Sequence, residues 1–242
     1  MTPPLPSSAP GRFATTRWSV VLRASDPDTP RARVALSELC GMYWFPLYAY
    51  ARRRGYSPPD AEDLTQGFFA RLLRLHSLAT VRPERGKFRA FLLAGMKHYL
   101  ADEHDRASAQ KRAADRTLPL DPALAEHRYH AEASDTLSPE RLFDRQWALA
   151  LLETVLARLR AEAEAAGRGA WFEAVRFSLT GERQAHAALA SSLGTTPEAL
   201  RVAIHRLRKR YRQLLREEIA QTVSDASLVE EELATLRRIL SA

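Results

Sequence analysis

The residues with the clearest chemical potential lie in one basic stretch near the end of the chain. Seven Arg or Lys residues and no acid fall between Arg201 and Arg216. Cations at this density bind polyanions, of which nucleic acid is the most common. At about 100° per residue, a separate apolar stripe runs along the same stretch. Its members are Leu200, Ile204, Leu207 and Tyr211. The stretch therefore predicts a helix that buries one side and presents cations on the other.

The residues before this helix indicate how it is held. Gly194 suits a tight turn with positive φ, Thr196 is a good N-cap, and Pro197 suits the first helical position. With a first helix over 187–193, the pattern is typical of a helix-turn-helix, whose second helix enters the major groove. A solvated basic helix in an ordinary bundle is the alternative. The turn, cap and two faces together favour DNA binding.

A second set of chemically capable residues lies in the middle of the chain. It consists of His98, Asp102, His104 and Asp105. These residue types raise a metal-dependent phosphohydrolase as an alternative, but such a site needs further ligands from other helices. Other candidates, His127 and His130, fall in an expected linker. We therefore expect no catalytic residue, no metal, no cofactor and no enzyme activity.

The segment after residue 60 predicts a helix with two apolar sides. Phe68 and Leu72 line one side, and Phe69 begins a second apolar side about a quarter-turn away. Such a helix is either buried centrally or covers a partner, and both readings stay open. Three acids at its start suit the helix dipole or an acidic rim that meets a basic partner. They are Asp60, Glu62 and Asp63.

Helices must position all of these side chains, because strand patterns are scarce in the sequence. The expected helices span 31–54, 61–76, 88–106, 187–193, a stretch from 197 onward, and 228–240. Gly55 should end the first and Asp60 should cap the second. Periodicity fades over 107–139, where prolines and acids predict a linker. The predicted fold is all-α, with two small helical domains joined by a flexible linker.

The composition narrows the class of protein. The chain has 242 residues and a net charge of +7, which favours polyanionic partners. Its single cysteine, Cys40, excludes an intrachain disulfide and suggests a reduced, cytoplasmic location. Without an apolar run of about 20 residues, no membrane segment is expected. The Pro/Ser-rich stretch 1–12 predicts a disordered tail that lacks the features of a secretory signal.

Three stretches resemble segments of bacterial RNA polymerase sigma factors. YWFPLYAYARRRGYSPPDAEDLTQGFFARLL resembles the polymerase-binding segment, and GKFRAFLLAGMKHYLADEHDRASAQKR resembles the segment that melts and reads the minus-ten element. The helix-turn-helix is similar to the minus-thirty-five reader. The order and spacing resemble the extracytoplasmic-function group, and the TTRWSVVL start and VEEELATLRRIL tail resemble a subgroup with a C-terminal extension.

The resemblance implies a sigma factor that binds core RNA polymerase and directs promoter-specific transcription initiation. It implies a tail at 1–12, sigma region 2 at 13–106, a linker at 107–139, sigma region 4 at 140–222 and a C-terminal helical extension at 223–242. Promoter DNA is the second implied partner, and an anti-sigma regulator stays open. A helix-turn-helix regulator that acts without polymerase is the alternative. The C-terminal helix is expected to pack on the second domain and regulate DNA access.

The resemblance also implies roles for individual residues. Polymerase docking falls to Asp60, Glu62, Asp63, Leu64, Gln66 and Phe69. Promoter melting and minus-ten reading fall to Lys87, Arg89, Lys97 and His98. Family members often carry Asn where His98 stands, and an imidazole can donate or stack there. The base-facing positions are Arg201, His205 and Arg206, the phosphate contacts are Arg208 and Lys209, and Thr196 completes the DNA-binding set.

Overall fold

A computed structural model describes residues 30–74, 87–109, 126, 129, 137–179, 186–223 and 225–241, without the side chains of 30–40, 73–74, 107–109 and 186. Its helices are α1 (Pro30–Arg53), α2 (Pro58–Arg74), α3 (Phe88–Ala109), α4 (Pro139–Ala165), α5 (Gly169–Val175), a 3-10 helix (Arg176–Leu179), α6 (His186–Ser192), α7 (Pro197–Ala220) and α8 (Leu228–Leu240). These described residues contain no strand, which confirms the predicted all-α class. The predicted tail, most of the linker and the Cys40 side chain lie outside them.

The start of α2 differs from the prediction because Ser57, rather than Asp60, caps it. The Asp60 N–H donates to Ser57 Oγ at 3.3 Å, and the Ser57 hydroxyl donates to Asp60 Oδ2 at 2.6 Å. This reciprocal pair works like a capping box. Pro58 and Pro59 fit the first turn, since N–H groups there have no intrahelical acceptor. Helix α2 therefore begins at Pro58, and both prolines lie in its first turn.

The first hydrophobic core draws on helices from both halves of the chain. Its fully buried members from the first half include Tyr43, Leu47, Phe88 and Leu92. The second half adds Phe143, Trp147 and Leu151 of α4, Ile219 of α7 and Leu236 of α8. The sequence predicted a separate core for each half. The predicted domain boundaries stay predictions, but the described helices on either side of the linker pack together.

The second core lies between α4, α5, α6 and α7. Val155 and Leu159 of α4 meet Phe172 of α5 and the stripe of α7 that includes Leu200 and Ile204. The first half of α4 thus packs in one core and its second half in the other. A helix of 27 residues is about 40 Å long, which is enough to serve both.

Two described residues from the middle of the predicted linker contact α1. Arg52 donates to the Glu126 carboxylate from Nε at 3.0 Å and from Nη2 at 2.8 Å. The Tyr48 hydroxyl donates to the same carboxylate. The Arg52 guanidinium lies 5.0 Å from the centre of the Tyr129 ring. These contacts attach this point of the chain to the surface of α1.

Candidate nucleic-acid interface

The turn between α6 and α7 has the geometry that the sequence predicted. Gly194 adopts a φ of +63°, which a residue without Cβ reaches at little cost. Its N–H donates to the Ser191 carbonyl at 3.2 Å, and the Thr195 N–H donates to the Ala190 carbonyl at 3.0 Å. This pair of bonds is a Schellman motif, which ends α6 and redirects the chain.

The first turn of α7 is capped as the sequence predicted. The Thr196 hydroxyl oxygen accepts the Ala199 N–H at 3.2 Å, and Pro197 follows the cap. The apolar stripe of α7 then turns into the second core, where Leu200 and Ile204 are buried. The start of α7 is therefore held from two directions, and its opposite face is left for solvent or a partner.

Of the five predicted base and phosphate contacts on α7, all of which are exposed, four lie on the face away from the core. They are Arg201, His205, Arg206 and Lys209. The Arg201 guanidinium makes only a 3.7 Å ion pair with Glu198, and its side chain is 63% exposed. Val202 stands among these cations with 51% exposure. At about 100° per residue, Val202 lies on the side of α7 away from the apolar stripe.

The Arg208 side chain, the fifth of these predicted contacts, bonds to a neighbouring helix of the same chain. It donates from Nε at 3.0 Å and from Nη2 at 2.5 Å to the Ser178 carbonyl in the 3-10 helix. Arg210 likewise donates from Nε to Glu162 of α4 at 2.8 Å, and this bond lowers the pKa of Glu162. These two arginines fasten α7 to neighbouring helices. The phosphate role of Arg208 stays a prediction.

The predicted promoter-melting residue Lys87 makes two ion pairs with α8. Its Nζ lies 2.8 Å from Glu231 Oε1 and 2.9 Å from Glu232 Oε2. Burial alone would lower the pKa of Lys87, but its hydrogen bonds to these two carboxylates outweigh burial and raise it. The Lys87 side chain is consequently held against α8 and is 18% exposed.

Arg89 forms a still more enclosed cluster. Its Nε lies 2.5 Å from Glu232 Oε1, and its Nη1 lies 2.5 Å from Asp144 Oδ1. The guanidinium also lies 4.8 Å from the centre of the Trp147 ring. Burial raises the pKa of Asp144 despite the opposing effect of Arg89. Three elements, α3, α4 and α8, therefore meet at this arginine.

The other two residues of the promoter-melting set lie further along α3. Lys97 Nζ lies 2.9 Å from Glu140 Oε1 at the start of α4, and this bond lowers the pKa of Glu140. His98 is exposed. The structure thus places all four predicted residues along α3 or at its start, and three of them pair with acids from the second half of the chain.

The predicted polymerase-docking set divides by burial. Asp60 and Asp63 are exposed and Leu64 is half-buried, whereas Glu62, Gln66 and Phe69 are buried. Gln66 Nε2 donates to Glu62 Oε1 at 3.0 Å. Burial, with the nearby charge of Asp63, raises the pKa of Glu62. The accessible part of the set is therefore a narrow acidic edge.

Phe69 belongs to the first core, although the sequence offered it for a partner-facing side. Its exposure is 3%, and its ring centre lies 5.7 Å from that of Phe68. The second apolar side of α2 is therefore covered within the chain at Phe69. The sequence left two interpretations of α2 open, a centrally buried helix and a helix that covers a partner. The burial of Phe69 agrees with the first.

The residues considered for a metal site do not converge. Within the part of the chain that the structure describes, no three His, Cys, Asp or Glu side chains form a group that could hold a metal ion. Asp102 instead accepts a hydrogen bond from Arg71 Nη1 at 2.7 Å. His127 and His130 lie outside the described residues. Across the described helices, none has the length and apolar character needed to cross a membrane.

The α2–α3 region matches a known family. Residues 46–110 match the family model of sigma-70 region 2. The matched segment contains the last third of α1, all of α2 and all of α3. It supports a sigma-70 family factor with a role in transcription initiation, and the roles of the remaining helices rest on other observations. No curated protein and no solved structure gives a significant match to the chain.

Proposed function

We propose that this chain is a cytoplasmic sigma factor of the extracytoplasmic-function group that binds bacterial core RNA polymerase and directs promoter-specific transcription initiation. The match of residues 46–110 to sigma-70 region 2 carries the proposal. The matched segment holds both the polymerase-docking set and the promoter-melting set that the sequence predicts. The proposed role is one of binding and DNA opening, with no catalytic residue and no cofactor.

The exposed face of α7 supports a reader of intact duplex DNA. Arg201, His205 and Arg206 lie within the first turns after the cap, where a major-groove helix meets base edges. Val202 adds an apolar contact of the kind that recognises a thymine methyl group. Lys209 lies further along and suits a phosphate. We assign this face to the minus-thirty-five element.

The start of α2 supports docking on a basic surface of polymerase. Asp60 and Asp63 are exposed there, and Leu64 is accessible between them and the core. Two carboxylates beside a half-buried leucine supply charge complementarity around an apolar contact. Among the predicted docking residues, these three are the ones that a partner reaches without unfolding the chain.

Reconstituted transcription with bacterial core polymerase on a genomic fragment library tests the proposal. The full chain is used, because helices from both halves share a core. We expect core polymerase to acquire new start points when the chain is added, and Arg201→Ala to alter which ones it uses. Arg160→Ala is the matched control: it removes one arginine charge from α4, where Arg160 pairs with Glu173.

Two outcomes would contradict the proposal. A chain that neither associates with core polymerase nor redirects it is not a sigma factor. Sequence-specific binding to duplex DNA without association with core polymerase would instead support a helix-turn-helix regulator that acts alone.

A further inference from the structure

The acidic first turn of α8 lies on cations of both predicted DNA-binding helices. Glu231 and Glu232 pair with Lys87 and Arg89 at the start of α3. We propose that α8 competes, within the same chain, with nucleic acid for the cationic site formed by Lys87 and Arg89. This inference rests on the proposed function, which assigns these two cations to promoter DNA.

The site is closed to a phosphate while α8 is in place. The side chains of Lys87 and Arg89 are only 18% and 13% exposed, and their donors face carboxylate oxygens. A phosphate oxygen carries the same charge and accepts the same hydrogen bonds as a carboxylate oxygen. A DNA strand therefore reaches these cations by replacing the acids of α8, and the two states exclude each other.

Backbone contacts deliver α8 to this position. The Phe88 N–H donates to the Thr222 carbonyl at 3.1 Å, and Lys87 forms an isolated antiparallel bridge with Val223. These contacts fix the chain just before α8 against the chain just before α3. Val229 and Leu236 of α8 then pack in the first core. These backbone and core contacts together hold the acids of α8 beside Lys87 and Arg89.

The third acid of the same turn reaches α7. Glu230 pairs with Arg216, which closes the basic stretch of that helix. One turn of α8 thus neutralises cations on α3 and α7 together. Three consecutive acids of α8 thus pair with cations on or next to the two helices that are predicted to bind DNA. Carboxylates in these positions can occupy the places of DNA phosphates.

A purely structural ion-pair cluster makes a different prediction. If the acids only stabilise the fold, weakening them lowers stability and leaves the affinity for DNA unchanged. If they compete with DNA, weakening them adds phosphate contacts. For single strands, each additional neutralised phosphate makes the slope of log K against log salt steeper by about 0.7. The slope therefore separates the two explanations.

The test compares full-length Glu231→Gln with full-length Glu173→Gln. Glu231 is 64% exposed and pairs with Lys87, whereas Glu173 is 45% exposed and pairs with Arg160 and Arg176, away from α3. Both variants lose one negative charge. The probe is a short fluorescein-labelled single-stranded DNA of mixed sequence, and binding is measured by anisotropy over a range of salt concentrations.

We expect Glu231→Gln to bind the probe more tightly than wild type, with a slope steeper by up to about 0.7, and Glu173→Gln to keep the wild-type slope. A chain that ends at residue 224 removes both acids from Lys87 and leaves Arg89 with Asp144, so its slope should be steeper than that of wild type by at least about 0.7. If circular dichroism shows that this shorter chain has lost its helices, the two full-length variants decide.

Equal slopes for Glu231→Gln and Glu173→Gln would overturn the competition while leaving the sigma-factor proposal in place. A complete lack of binding by every form would overturn the competition and the nucleic-acid role of Lys87 and Arg89 together. Transcription with core polymerase, measured separately, keeps the failure of the proposed function distinguishable from the failure of α8 as a competitor.

Discussion

Arg89 donates from Nε to Glu232 at 2.5 Å, although 143 residues separate the two along the chain. The Glu232 side chain is 1% exposed, and Arg89 Nη1 contacts Asp144 as well. A carboxylate this deeply buried is tolerated only while its cations stay in place. The pair therefore makes the position of α8 and the position of α3 depend on each other.

Removing the buried acid should destabilise the chain strongly. We expect Glu232→Gln to lower the free energy of unfolding by about 3–5 kcal/mol, because it leaves a buried guanidinium without its main partner. Urea unfolding followed by circular dichroism measures the change. The control is Glu230→Gln, an acid of the same turn that is 63% exposed, with an expected change of about 0–1 kcal/mol. Similar losses of unfolding free energy for both variants would mean that the buried Glu232–Arg89 pair contributes no more to stability than an exposed pair.

Substitution in α2 should separate folding from polymerase docking. Phe69→Ala should lower the free energy of unfolding by about 3–5 kcal/mol, because it removes a buried aromatic ring from the first core. Asp63→Asn should leave stability nearly unchanged and weaken association with core polymerase, since Asp63 is exposed on the proposed docking edge. Urea unfolding and a core-binding titration provide the two measurements. Stable Phe69→Ala protein with selectively weakened polymerase binding would return Phe69 to the docking surface.

Two cations on α7 should differ in what they do to DNA binding. Arg201→Ala should cost about 1–3 kcal/mol of discrimination between promoter sequences, because the proposed function places Arg201 among the residues that read base edges. Lys209→Ala should weaken binding uniformly across sequences and make the salt slope shallower by about 0.9. Binding to a randomised duplex library at several salt concentrations distinguishes the two effects. Identical sequence preferences in Arg201→Ala and wild type would remove Arg201 from the base-reading face.

The Lys97–Glu140 pair should contribute to stability in a pH-dependent way. The hydrogen bond from Lys97 holds the pKa of Glu140 below its usual value, near 4.3 in an unfolded chain. A depressed carboxyl pKa stabilises the fold above about pH 4.3, and the contribution is lost as pH falls through the lower, folded value.

The matched variant for this pair is Glu140→Gln. Both side chains are almost half exposed, so we expect a difference in unfolding free energy of at most about 1 kcal/mol at neutral pH. The difference should disappear below the depressed pKa. Urea unfolding of both forms across the acid range measures it, and a difference that persists unchanged in strong acid would assign the effect to something other than the carboxylate charge.

Helix ends, caps and turns that depend on a few neighbouring residues could be predicted from the sequence. The ends of α8, at Leu228 and Leu240, coincide with the prediction because an acidic start and an amphipathic repeat are local signals. The same holds for Gly194 and Thr196, whose backbone angles and hydrogen bonds depend on their own residue types. The all-α class followed from helical periodicity along most of the chain.

Features that depend on distant partners were not predictable from local patterns. Lys87 and Arg89 look like free cations in the sequence, and only the folded chain shows that acids more than a hundred residues away meet them. The burial of Phe69 likewise depends on tertiary packing that its own segment does not specify. The Asp60 cap was wrong for a local reason, because a proline pair after Ser57 is equally compatible with the first turn of a helix.

The continuity of α4 has a mechanical consequence. Leu151 packs in the first core and Val155 packs in the second, one helical turn apart. A single residue inserted between them would rotate one core by about 100° about the helix axis relative to the other. Because α7 also enters both cores, with Leu214 in the second and Ile219 in the first, α4 and α7 together set the rotation between the two cores and, under the proposed function, between the two DNA-binding surfaces.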